Sequence, residues 1–229
     1  MSDHVSRQQV VELLTEKAQV KQKVYDHTFA AFNMLKSLQQ EITDEYNQRL
    51  KDADPRVQLK YRSRGDFESE LKVAGDLLLF SMHSNIFEFD REHHIWSLPY
   101  VKDSVLNSYC GIIHVYNFLS DSFKYNREND LGYLITRVFV NHENHFFVEG
   151  KRQGEFSYKH FPKQTANGER LGRIVQTAIQ YALQFDLLVP PYDHVKIASV
   201  AQMNQKIISS KLQTGKRIGF KFNSDDVQE

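Results

Sequence analysis

The sequence predicts an α+β fold: an antiparallel sheet of about six or seven strands, covered by helices from the N-terminal and C-terminal parts of the chain. Three observations carry the prediction. Residues 1–54 hold neither glycine nor proline and repeat apolar side chains at three- and four-residue steps, the signature of an amphipathic helix. From Pro55 to Gly150, apolar and polar residues alternate in short runs separated by turn residues, and such short connections force neighbouring strands to be antiparallel. Helical spacing returns after Glu169.

Length and composition set the frame. A chain of 229 residues that is 41% hydrophobic can bury a sizeable core, and no linker-like stretch divides it. The expected organisation is a helical segment over 1–54, one continuous domain over 55–222 and an acidic tail over 223–229. Cys110 is the single cysteine, so no intrachain disulfide can form, and the first residues lack the basic and apolar regions of a secretory signal. No apolar run approaches the ~20 residues of a membrane helix. A soluble, cytoplasmic protein with no membrane partner is expected. Net charge is zero but unevenly placed: residues 151–222 hold 12 basic and 4 acidic side chains, whereas 1–54 hold 7 and 9. That asymmetry suits weak binding to a polyanion or nucleic acid, against the plainer reading of a solvated face.

In chain order, Val11, Leu14, Ala18, Tyr25, Phe29, Phe32, Leu35, Ile42 and Tyr46 mark the first helix. A single rod of about 45 residues would be ~70 Å long, more than a domain of this size spans. It must either break near Lys21, Gln22 and Lys23 or project and pair with another chain, which predicts a homo-oligomer assembled through residues 1–54. Lys21, Thr28 and Gln39 fall on the heptad seam and weigh against a coiled coil. Pro55 ends the helix. Val57, Leu59 and Tyr61 alternate as a first strand, Phe67, Ser69, Leu71 and Val73 as a second, and residues 77–82 and 86–89 supply two more. Residues 90–107 read as an exposed irregular loop, in which Asp90, Glu92, His93 and His94 offer ligand chemistry without obvious convergence. A strand over 112–119 places His114, Tyr116 and Phe118 on one face, and a polar connection over 121–130 follows. Residues 131–152 form a long hairpin about the polar run Asn141–His145. A helix over 169–189 is stopped by Pro190 and Pro191, a last helix runs from Asp193 toward Gly215, and Ile218, Phe220 and Phe222 suggest a terminal strand.

The hairpin concentrates the candidate chemistry. A turn near Glu143 pairs residues whose numbers sum to about 286, which sets Glu149 opposite Arg137. Asp130 before the first strand and Glu149, Gly150 and Lys151 at the end of the second resemble the pattern of the PD-(D/E)xK nuclease superfamily. The resemblance implies a divalent metal held by Asp130 and Glu149, with Lys151 assisting the attacking water in phosphodiester hydrolysis. The register opposes it, because Asp130 then lies ~23 Å from the Glu149 pair at ~3.3 Å per residue. Gly150 also departs from the apolar middle residue of that pattern. The hairpin is similar, too, to that of a bacterial protein family of unassigned activity, from which no residue role follows. The reading therefore leans away from an enzyme and expects no cofactor, a divalent metal entering only under the nuclease alternative.

Two binding readings remain. Tyr116, Tyr133, Arg137 and Glu149 could line a small-ligand pocket between sheet and helices, as in a sensor. Alternatively, Lys151, Arg152, Tyr158 and Lys159, interleaved with Phe156 and Phe161, mix cations and rings as single-stranded nucleic acid binding does. A binding or interaction protein is the expected class.

Overall fold

The computed structural model describes residues 7–128, 130–152, 154–187, 189, 191–197 and 199–201. Most of the expected last helix, the terminal strand and the acidic tail lie outside these residues.

Helix α1 (Arg7–Leu13) passes through a π-helical turn (Leu14–Ala18) into α2 (Gln19–Arg49), so the rod runs unbroken through Lys21–Lys23. Thr15 Oγ1 donates to the carbonyls of Val11 and Glu12 at 3.0 and 3.1 Å, the kind of side-chain competition that opens a helical turn. Burial starts only at Val24 and continues through Ala31, Phe32, Leu35 and Ile42. Thr28 and Gln39, the residues at odds with a coiled coil, face this chain's own sheet. Thr28 packs so closely on Gly111 that a Cβ there would sit 2.2 Å from its hydroxyl, and Gln39 accepts from Ser69 Oγ at 3.1 Å. At the far end the Asn47 amide brackets the backbone of Leu59, with both bonds 2.9 Å, and fixes where the sheet begins.

Six strands follow: β1 (Lys60–Ser63), β2 (Glu68–Val73), β3 (Asp76–Met82), β4 (Gly111–Leu119), β5 (Tyr133–Val140) and β6 (Phe146–Gly150). They pair antiparallel in sequence order, which gives the α+β architecture expected. The short helices α3 (Pro99–Asp103) and α4 (Ser120–Lys124) lie in the connections, and α5 (Gly168–Leu183) joins α2 on one face of the sheet. Alternation turns Leu71, Leu78, Phe80, Ile113, Val115 and Val138 toward those helices, where they meet Phe32, Leu35, Ile174 and Val175 in the main core.

Several expectations need correction. Val57 lies in a 3-10 turn and Leu59 precedes the first strand, which begins only at Lys60 after Pro55 has turned the chain. Residues 86–89 are not a strand, and only Phe87 pairs there, with Cys110. The stretch from His83 to Cys110 instead folds over one end of the outer sheet face. Ile95 and Val101 pack there on Ile112, Phe139 and Phe147 as a second core, joined by Phe87, Phe89 and Trp96. Nearly continuous apolar runs, such as Ile112–Ile113 and Phe146–Val148, leave large side chains on both faces of β4–β6, and water is a poor cover for the outer set. Gly154–Phe156 and Tyr158–Lys163 form 3-10 turns, and α5 ends at Leu183, short of the expected 189, where the apolar stripe runs out into exposed side chains, before α6 (Tyr192–Val195).

Candidate functional site

With α2 and α5 on one face and the 83–110 segment and α4 over the two ends of the other, the described residues leave the middle of the outer face uncovered. Cross-strand pairing fills it row by row. Glu68, Ser81, His114, Arg137 and Glu149 form one row, and Arg62, Glu70, Leu79, Tyr116 and Leu134 the next. The Arg137–Glu149 pairing is the one the hairpin turn implies. A bulge at Val115/Tyr116 interrupts β5, and Ile135 and Thr136 are both buried beside it. Gly150 lies against this irregularity. It has φ +155°, a Cβ on it would stand 2.3 Å from the Ile135 carbonyl, and the next N–H, of Lys151, donates to that carbonyl at 2.9 Å. Glycine between Glu149 and Lys151 is thus demanded by backbone packing.

Glu149 is fully engaged. One oxygen accepts from Arg137 and the other from His93 Nε2 at 2.8 Å. His93 Nδ1 accepts the backbone N–H of Ile95 at 3.2 Å, so that nitrogen carries no proton and Nε2 is the donor. The Phe89 ring lies 4.5 Å from the His93 imidazole. Together these contacts clamp the 83–110 segment to β6. A histidine using both nitrogens is a poor proton acceptor for a substrate, and a carboxylate using both oxygens is a poor metal ligand. Among the described residues no group of three or more His, Cys, Asp or Glu could hold a metal ion.

His114 is half-buried on the same row. Burial lowers its pKa from the ordinary 6.5, with Arg137 and His83 pushing the same way, so it is neutral at pH 7. Its ring meets Tyr116 at 5.7 Å.

The other expected site residues scatter. Asp130 accepts from Ser122 Oγ at 2.7 Å and lies 3.7 Å from Arg127, in the connection before β5, while Lys151 sits beyond the bulge. The trio of the nuclease pattern is spread over three local environments. Tyr133 pairs with Asn117 and packs on the helix side against Phe185 at 5.9 Å, whereas Tyr116, Arg137 and Glu149 are on the outer face. The expected pocket between sheet and helices is occupied by core side chains. Phe156 is buried in the main core and Phe161 in the second, Tyr158 stacks on His94 at 5.8 Å, Arg152 donates to Gln184, and Lys159 is exposed. The mixed aromatic and basic stretch is core anchors alternating with surface, not one binding face.

His93 stood out in sequence only as one of a polar cluster with Asp90, Glu92 and His94; its pairing with Glu149 was hidden because the segment read as an exposed loop. Its apolar neighbours Phe87, Phe89, Ile95 and Trp96 were the available signal. The hairpin tip holds a second polar network. Asn141 Oδ1 accepts the N–H groups of Glu143 and His145, both at 3.0 Å, and its amide donates to Tyr100 Oη at 2.7 Å. Tyr100 in turn donates to Glu143, and its pKa is raised by burial and then by that carboxylate. Comparison of the chain with protein-family models, curated proteins and solved structures finds no match. The site is read from its own chemistry.

Proposed function

We propose that the protein is a non-catalytic interaction protein of the cytoplasm that self-associates through its N-terminal helix. One observation carries this reading. Helix α1 has no buried residue, and Val10, Val11, Leu13 and Leu14 are 45%, 57%, 57% and 60% exposed. An arm of Arg7–Ala18 extends about 18 Å at ~1.5 Å per residue, and its aliphatic side chains gain free energy only by meeting another surface. A second copy suits it best. Arg7 and Lys17 balance Glu12 and Glu16 on the arm, so two identical arms meet without net repulsion, and a two-fold pairing of like stripes closes on itself.

The commitments of His93 and Glu149 support a binding rather than a catalytic role. Cys110 is the only cysteine and is buried, which supports a reducing compartment, and among the described residues no helix is long and apolar enough to cross a membrane. Light scattering at micromolar concentration tests the assembly. The expected result is a dimer that becomes monomeric, with an unchanged circular dichroism spectrum, in a Val10→Glu/Leu14→Glu variant. A wild-type monomer at that concentration overturns the proposal.

A further inference from the structure

We infer that the middle of the outer sheet face, which the described residues leave open, binds single-stranded nucleic acid, rings on β4 stacking bases and cations on the flanking strands holding phosphates. The inference does not depend on self-association, since it rests on residues of the sheet and α4 alone.

The first observation is the aromatic stripe. His114, Tyr116 and Phe118 follow one another on the outer side of the interior strand β4, with ring centroids 5.7 and 6.3 Å apart. Phe118 is wedged between Gly132, where a Cβ would stand 2.3 Å from its ring, and Phe123 of α4 at 5.1 Å. It forms a wall. His114 and Tyr116 are half-exposed beside it, a platform for flat groups.

The second observation is a charge pattern that the fold alone does not explain. Lys60 and Lys72 stand directly opposite each other on β1 and β2, and neither has an ion pair or hydrogen bond from its ammonium group among the described residues. Like charges at directly paired positions cost stability. In the next row Arg62 and Arg64 share the single carboxylate of Glu70, which leaves that trio positive as well. On the other side of the stripe Arg137 is 44% exposed, its guanidinium over the Phe139 ring at 5.5 Å and bonded to Glu149 through one nitrogen, so it offers a phosphate its remaining N–H groups rather than a free charge.

Geometry selects the ligand class. From β1 to β5 are four strand spacings, roughly 19 Å at ~4.8 Å each, with rings between. One small anion cannot reach both the cations of β1 and β2 and the Arg137 guanidinium, whereas a polymer with repeated phosphates and flat rings can. A duplex hides its base faces, so the stripe favours a single strand.

The test is fluorescence anisotropy of the full chain with a labelled oligothymidine, the matching duplex, and unlabelled polyphosphate as competitor, at low and moderate salt. The expected result is preference for the single strand, with an affinity that falls steeply with salt. Tyr116→Leu should weaken it about tenfold, the loss of one stacked base. Lys72→Glu should weaken it by at least as much while raising the thermal midpoint, because the repulsion by Lys60 becomes attraction. Arg152→Glu/Lys159→Glu, on the surface that sequence alone suggested, should leave it unchanged. No single-strand binding at low salt, equal binding of the duplex, or binding indifferent to both Tyr116→Leu and Lys72→Glu would overturn the inference.

Discussion

Replacing Glu149 by alanine removes a carboxylate that joins two parts of the molecule. Arg137 loses its cross-strand partner, but that guanidinium is 44% exposed and water replaces much of the interaction, so this part is worth about 0.2–1 kcal/mol. His93 is only 23% exposed, and its Nε2–H loses an acceptor at 2.8 Å. A hydrogen bond to a charged acceptor contributes ~1.5–3 kcal/mol, and partial solvent access reduces it to about 1–2. The sum is roughly 1–3 kcal/mol, or a fall of about 3–10 °C in Tm for a domain of this size. Glu149→Gln keeps an oxygen for His93 and should cost less than half as much. Urea denaturation gives both values, and limited proteolysis should show faster cleavage between His83 and Cys110 in Glu149→Ala, because the clamp on that segment is gone. Stability of Glu149→Ala within about 0.5 kcal/mol of wild type, or equal losses for Ala and Gln, would refute the clamp. Titration with manganese is expected to give no heat of binding in either protein; a signal present in wild type and lost in Glu149→Ala would restore the nuclease reading.

Gly150→Ala should destabilise by about 2 kcal/mol or more, since the new methyl meets the Ile135 carbonyl at 2.3 Å and neither backbone can retreat without breaking the sheet; an unchanged urea midpoint would contradict the bulge geometry. Stability should also fall between pH 7.5 and pH 5.5. Burial lowers the pKa of both His114 and His142 below the ordinary 6.5, so the unfolded chain takes up protons first, and their contribution, complete above about pH 6.5, is lost as pH falls toward the folded values. In urea titrations the His114→Gln variant should show a shallower dependence over that window, and an identical slope would show that His114 is not involved. The Cys110 thiol is fully buried with its pKa pushed up, so a thiol reagent should modify it only in denaturant; rapid labelling of the native protein would mean that the second core opens easily.

The β5–β6 register was legible because polar residues interrupt two β-branched and aromatic runs symmetrically about Glu143, and a one-residue slip would have exposed Val138 and Val148. That register already set Glu149 against Arg137 and excluded Asp130. The bulge that makes Gly150 necessary left no mark in the alternation that would separate it from an ordinary strand end. Phe156 and Phe161 misled for a different reason: aromatic residues among lysines look alike whether their rings face solvent or plug two separate cores. The fold of the 83–110 segment was hard to read because its partners, Ile112, Phe139 and Phe147, sit on strands whose other face is equally apolar, and the irregular spacing of Phe87, Phe89, Ile95 and Trp96 marked an apolar segment without showing what it would cover. For the N-terminal helix, spacing established the rod but not how much of it the domain would bury.

The π-helical turn at Leu14–Ala18 gives that rod a property a uniform helix lacks. An α-helix advances about 100° per residue, and a π turn takes up one residue more than an α turn. The extra residue shifts by one position which side chains of the arm line up with the buried face of α2, so the arm is aimed independently of the side on which the helix is anchored. Removing one residue from that turn would leave Val24 and everything beyond it seated on the sheet while swinging the arm's aliphatic stripe to a new bearing. The direction in which the molecule reaches outward could thus change by a single deletion, without any substitution in its core.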